Sequence, residues 1–192
     1  MDSARHIQNL TLVGFMGAGK SSVGRFAADA LHFTFLDTDH VIESRAGKSI
    51  TEIFAELGEP AFRALEHKLV LELERRSRTV IATGGGLPVN PENMASLKSH
   101  SLVICLWASP EALYERVRAH DHRPLLKEGE PLERIRSLLA ARAPFYTEAD
   151  VLINTEMRST REVALQVVHQ FHLAHHQQQQ IPPRGASHLA PS

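Results

Sequence analysis

Eight residues near the N-terminus, Gly14-Phe15-Met16-Gly17-Ala18-Gly19-Lys20-Ser21, fit the pattern G-x-x-x-x-G-K-[ST]. The chemistry this spacing serves is phosphate binding. Glycines let backbone N–H groups turn inward around phosphate oxygens, where a Cβ would intrude. The helix N-terminus that follows such a loop adds the positive end of its dipole. Lys20 has the reach for the β- and γ-phosphates, and the Ser21 hydroxyl is a ligand for Mg²⁺. A glycine-rich turn without a ligand is the plainer alternative, but the whole motif between an apolar strand and a helical pattern weighs against it. Kinases, GTPases, motors and transporters all share this loop. The chain has no guanine-specifying N-K-x-D, and 192 residues is short for a motor. A kinase acting on a small molecule is the expectation.

The acceptor side of such a reaction has its own candidates. Asp37-Thr38-Asp39 follows the second apolar run. Strand ends in open α/β sheets face the ligand crevice. Asp37 is placed there to hold Mg²⁺ directly or through water, and Asp39 to orient a substrate hydroxyl or accept its proton. A pair of helix-capping aspartates is the competing reading. Arg63 and Glu66 stand at i,i+3 on one helix face. They form either a surface ion pair or an arginine fork held by the glutamate and aimed at a carboxylate. The triplet Gly84-Gly85-Gly86 closes the third strand and permits close backbone approach to a ligand. Between Arg116 and Arg142 the chain carries a local charge of +3 within a total of −1. A basic, loop-forming stretch of this kind reads as a lid at about 117–131 that excludes water, with Arg123 bringing positive charge to the phosphoryl group. A solvated charged loop is the alternative.

Other reactive types are weaker. His169, His172, His175 and His176 could share a helix face and bind zinc, but such runs are more often solvated. Cys105 reads as an inert core thiol and Trp107 as core or sheet-edge packing.

These side chains need a scaffold. Apolar runs at Leu10–Val13, His32–Leu36, Thr79–Ala82, Ser101–Trp107 and Val151–Asn154 read as strands. Helical periods occupy 20–31, 50–77 with a break near Gly58-Glu59-Pro60, and 160–173. Asn90-Pro91 and Ser109-Pro110 each supply an N-cap followed by proline at the first helical position. Alternating strands and helices predict a parallel sheet covered on both faces. From about His175 the sequence is rich in Gln, Pro and Ser and predicts a disordered tail over 175–192, leaving one domain over 1–174. Hydrophobic residues at 43% and charged residues at 22% are ordinary for a globular protein. The charge balance argues against a nucleic-acid or anionic-membrane binder. One cysteine excludes an intrachain disulfide framework, and no apolar run reaches the roughly 18 residues that span a bilayer. The N-terminus lacks a long apolar signal region. A soluble, intracellular protein is expected.

Taken together, GFMGAGKSS, DTD, FRALE, GGG, RPLL and RAPFY, in that order and at those spacings, resemble the shikimate kinase family over roughly residues 9–172. The resemblance implies a three-layer α/β/α fold with a five-stranded parallel sheet in the order 2-3-1-4-5 and a mobile lid. It implies ATP-dependent phosphorylation of the shikimate 3-hydroxyl in a cytoplasmic monomer, with Mg²⁺ as cofactor and ATP and shikimate as the only partners. Gly17, Ala18, Gly19, Lys20, Ser21 and Ser22 would bind ATP, Ser21 and water-bridged Asp37 the metal. Asp39 would hold the reacting hydroxyl, with Lys20 and Arg123 as the other catalytic groups. Arg63 and Arg142 would clamp the substrate carboxylate, and Gly84, Gly85 and Gly86 would meet the ring hydroxyls. Arg116 would pack on adenine, with Arg118 as the alternative, and Arg158 would supply a second nucleotide contact. The rivals are a gluconate or nucleotide kinase on the same loop, and a non-catalytic nucleotide sensor. The sensor would be expected to lack Asp39 or the lid arginine.

Overall fold

The computed structural model describes residues 5–118 and 130–179. Its centre is a five-stranded parallel sheet in the order β2-β3-β1-β4-β5. The strands are β1 (Asn9–Val13), β2 (Thr34–Asp37), β3 (Thr79–Ala82), β4 (Ser101–Trp107) and β5 (Val151–Asn154). β1 is buried at every position and β4 at all but Trp107, as strands covered on both faces must be. The expected order and parallel sense hold throughout.

Helices α1 (Lys20–Leu31) and α7 (Thr160–Gln179) pack together over the sheet. The others are α2 (Thr38–Ala46), α3 (Ile50–Leu73), α4 (Pro91–His100), α5 (Pro110–Val117) and α6 (Pro131–Tyr146). One apolar cluster joins α1, α4, α5, α6 and α7 to the central strands. A smaller cluster places Ile42 of α2 and Ile53, Phe62, Leu69 and Leu73 of α3 against Leu36 and Ile81. No described helix is long and apolar enough to cross a membrane.

Capping residues set the helix starts where the sequence places them. Asn90 and Ser109 accept from Glu92 N and Ala112 N ahead of α4 and α5. Ser49 and Glu52 form a reciprocal capping box at the start of α3. Gly58, with φ 79° and ψ 169°, breaks α3 internally, just before Pro60. The expected break is therefore a kink within one long element.

β1 starts and β2 ends one residue from expectation, at Asn9 and Asp37, and three further boundaries differ by more. β2 begins at Thr34, because His32 is the left-handed C-cap of α1 and its N–H bonds to Ala28 O and Asp29 O. α3 stops at Leu73, short of residue 77. α7 runs to Gln179, past the expected start of the tail at His175. Burial explains the extension. His175 stacks on Phe171, with ring centroids 6.0 Å apart. Gln178 accepts from Ile7 N at 3.1 Å and donates to Arg5 O, tying the helix end to the N-terminal arm. Helices α2 and α6 have little apolar periodicity, and α6 contains Pro144, so the sequence pattern does not announce them.

Candidate functional site

Every strand points its C-terminal end to the same edge of the sheet, and the connections there enclose a cavity of about 460 Å³. On one side lies the glycine-rich loop between β1 and α1. Gly19 is the N-cap of α1 and no side chain caps that helix start, so its first N–H groups are left for an anion. Gly17, Gly19, Lys20, Ser21 and Ser22 line the cavity. Ala18 does not, since its side chain is buried in the core. The Lys20 ammonium donates to Gly14 O at 2.8 Å and Phe15 O at 2.9 Å, crossing the loop.

At the mouth of that loop, Ser21 Oγ donates to Asp37 Oδ2 at 2.6 Å. The other carboxylate oxygen of Asp37 accepts from Asp39 N at 3.1 Å and His40 N at 3.4 Å. Asp37 thus serves as the N-cap of α2 and still presents an oxygen beside Ser21. The capping reading of this residue is realised, and the same carboxylate lines the cavity. A hydroxyl and a carboxylate in contact make an all-oxygen donor set, which suits a hard divalent cation.

The far wall is built around the glycine triplet. Thr38 Oγ1 accepts from Gly84 N at 2.9 Å. Tyr146 Oη donates to Gly85 O at 2.6 Å, and Arg142 Nη1 reaches the same oxygen at 3.3 Å. A Cβ on Gly84 would stand 2.4 Å from Asp39 Oδ1 and 3.1 Å from Glu66 Oε1. A Cβ on Gly86 would stand 2.5 Å from Arg63 Nη1. Glycine is needed here for close approach: it lets Asp39, Glu66 and Arg63 lie directly on the backbone.

Arg63 and Glu66 do not form a surface pair. Glu66 is 1% exposed and accepts from Arg63 Nη1 at 2.7 Å. Its second oxygen, Oε1, is buried with no hydrogen-bond partner among the described residues. Burial pushes the Glu66 carboxyl above its ordinary range, against the Arg63 hydrogen bond that pulls it down. Glu59 takes the other edge of the guanidinium, at 2.7 Å from Nη2. Two carboxylates therefore fix the fork of Arg63 beside Gly86. The Arg142 guanidinium lies 5.7 Å from the centre of the Phe15 ring and next to Gly85. Two arginines thus flank consecutive glycines.

Arg116 lines the cavity, bonds to Thr155 Oγ1 and Thr155 O at 2.8 Å each, and reaches Gly17 O at 3.4 Å. It bridges the glycine-rich loop to the segment after β5. Arg118 instead pairs with Glu115 at 2.5 Å on the surface. Arg158 is not brought to the cavity and bonds to Gln166. Arg123 and most of the expected lid lie outside the described residues.

Sequence reasoning passed over several wall residues. Ile50, Phe54 and Phe62 give the cavity an apolar side. Thr38 and Tyr146 lie within the DTD and RAPFY motifs, but their bonds to Gly84 N and Gly85 O join atoms distant in the chain, and no local signal marks those contacts. Phe54 and Phe62 could have been found from helical spacing across the Gly58 break. Among the described residues no group of three His, Cys, Asp or Glu side chains is placed to hold a metal ion, the C-terminal histidines included. Cys105 is buried beneath the loop, and desolvation pushes its thiol up to about 11 despite the Lys20 charge. It is an inert core group. Trp107 is 40% exposed, at the upper end of β4.

Comparison with known proteins agrees with this geometry. The family model described as shikimate kinase matches residues 16–172. A shikimate kinase of Thermus thermophilus is 47% identical over 160 residues, 83% of this chain and 87% of that protein. One from Thermodesulfovibrio yellowstonii is 42% identical over 165 residues, 86% of this chain and 95% of that protein. Among solved structures, shikimate kinase from Acinetobacter baumannii in complex with shikimate superposes with a TM-score of 0.82. It is 38% identical, and the match covers 88% of this chain and 95% of that one.

Proposed function

The chain belongs to the shikimate kinase family, whose members are ATP-dependent kinases acting on shikimate, and from that premise we propose how its residues divide the work. ATP sits with its phosphates on the N–H groups of the Gly17–Ser22 run, and Lys20 neutralises the charge that develops as the γ-phosphoryl group leaves. Shikimate lies between the glycine triplet and the wall of Ile50, Phe54 and Phe62. Its carboxylate meets Arg63 and Arg142, whose guanidiniums are fixed beside Gly86 and Gly85. That seating brings the 3-hydroxyl to Asp39, which orients it and takes its proton as the oxygen bonds to phosphorus. The products are shikimate 3-phosphate and ADP.

The Ser21 hydroxyl and Asp37 carboxylate would hold Mg²⁺, Asp37 through water, and the ion would supply charge neutralisation on the phosphate oxygens. Positioning and fixed charge then carry the catalysis, since phosphoryl transfer asks little covalent chemistry of the protein. Arg123 would add charge over the γ-phosphate and Arg116 would border the nucleoside. Arg158 is the second nucleotide contact only if its loop rearranges from its present bond to Gln166.

The observation that carries this reading is the pair of arginines lodged against adjacent glycines opposite a glycine-rich phosphate loop. Two arginines suit a gluconate carboxylate or a nucleotide phosphate as well, and it is the family membership that favours shikimate over those acceptors. The test is ADP release measured with shikimate, gluconate and nucleoside monophosphates in parallel. Turnover with shikimate alone is expected. Turnover with another acceptor and none with shikimate would replace the reading, and tight ATP binding without any turnover would favour a sensor.

A further inference from the structure

Asn93 is 2% exposed and sits on α4, and it touches two elements that form the acceptor wall. Its Nδ2 donates to Leu87 O at 3.1 Å. Leu87 belongs to the 3-10 turn Leu87–Val89 that continues the glycine triplet. That turn is bonded back onto the triplet, Leu87 N to Gly84 O at 3.2 Å and Val89 N to Gly86 O at 3.1 Å. Because Nδ2 is the atom facing a carbonyl, Oδ1 is the acceptor at the other end of the amide. It lies 2.8 Å from His67 Nδ1. His67 Nδ1 therefore carries the hydrogen, whether or not Nε2 on the solvent side is protonated near Glu92, 3.7 Å away.

His67 is one helical turn beyond Arg63 on α3. The contacts close a ring: Arg63 lies on Gly86, Gly86 leads to Leu87, Leu87 O holds Asn93, Asn93 holds His67, and α3 returns to Arg63. On the reading of Arg63 as a carboxylate ligand given above, we propose that His67 and Asn93 are positioning residues for the acceptor site, latching α3 to the glycine segment so that Arg63 keeps its place over Gly86. Neither residue lines the cavity. They act through Arg63 and the backbone of the triplet.

The test exploits side-chain shape. His67→Leu removes the Nδ1 donor while keeping helix propensity and an apolar stem. His67→Asn restores a donor at the same distance from the backbone, although asparagine is the poorer helix former. Steady-state kinetics with each substrate varied, plus thermal unfolding, are measured for the wild type and both variants. Losing one hydrogen bond in the latch should raise the shikimate KM about 3- to 10-fold in His67→Leu, with the ATP KM unchanged. His67→Asn should lie near the wild type in shikimate KM even where its melting temperature is the lower. A wild-type shikimate KM in His67→Leu, equal shifts in both KM values, or no rescue by asparagine would each overturn the latch. Wild-type protein inactive on shikimate would instead overturn the functional reading, and the latch with it.

Discussion

Removing the Lys20 ammonium leaves the carbonyls of Gly14 and Phe15 without their shared donor, and removes the cation proposed to meet the phosphates. Lys20→Ala should lower kcat by about 10²–10³, the cost of one preorganised charge donor. A coupled ADP-release assay reads this directly, and wild-type turnover would remove Lys20 from the chemistry. Arg142→Ala tests the contact proposed for the other substrate. Loss of a charge-assisted contact to its carboxylate should cost roughly 10- to 100-fold, read as a higher shikimate KM with the ATP KM unchanged. An unchanged shikimate KM would end its role as a carboxylate ligand. Gly84→Ala is the sharpest steric test, since the added methyl would meet Asp39 Oδ1 at 2.4 Å. The methyl must push the carboxylate aside, and displacement by about 1 Å costs on the order of 10² in rate. The fold should survive, so kcat falls while the melting temperature stays near that of the wild type. A normal kcat would show that Asp39 need not lie on the triplet.

At the scale of elements, α3 does two jobs that its kink separates. The turns before Gly58 carry Ile50, Phe54 and the capping box, and those after it carry Arg63, Glu66 and His67. Gly58 holds φ 79°, where a Cβ is strained although it would meet only Pro60 Cδ, at an ordinary 3.6 Å. Gly58→Ala should therefore destabilise by about 1 kcal/mol or more, which in a domain of this size is a fall of roughly 2–4 °C in Tm. An unchanged or higher Tm would mean that the kink can straighten without cost. This break was legible in the sequence because glycine, glutamate and proline interrupt a helical period. The glycine-rich loop, Asp37-Thr38-Asp39 and the triplet were legible for a similar reason: each needs particular residue types at fixed spacing beside a strand end. His32 was misplaced into β2 because an apolar neighbourhood hides a left-handed C-cap. Thr38 and Tyr146 fell within quoted motifs, DTD and RAPFY, but their contacts with Gly84 N and Gly85 O stayed hidden because those groups lie far away in the chain. Glu66 was legible as the partner of Arg63, but its burial beside Asp39 depends on how α2, α3 and β3 meet.

Across the whole molecule, the two ends of the sheet have opposite characters. The upper end gathers the chemistry, whereas the lower end is knitted by buried polar groups. Asn9 donates from Nδ2 to Arg76 O at 2.6 Å and His100 Nδ1 at 3.0 Å, and its Oδ1 accepts from Thr79 N at 3.0 Å. The Thr79 contact fixes the amide, so His100 Nδ1 must be an acceptor and the ring neutral. Protonating Nδ1 would set donor against donor in a buried place. Burial accordingly holds the His100 imidazole below its ordinary 6.5, outweighing the pull of Glu74. A depressed folded-state value means that the unfolded chain takes up the proton first. The contribution of His100 is therefore complete above about pH 6.5 and is lost as pH falls through the lower folded value. Asp150 adds to acid sensitivity at lower pH. Burial alone would raise its carboxyl, but Arg5 and the Val103 N–H hold it below 3.8. Glu66 runs the other way, because its raised value favours the folded state as pH drops. Comparing wild type with His100→Leu cancels both carboxylates. Urea unfolding from pH 7.5 down to about pH 5 should show the wild type losing stability relative to His100→Leu, whatever the offset between them at neutral pH. Parallel curves across that range would show that His100 does not couple folding to protons.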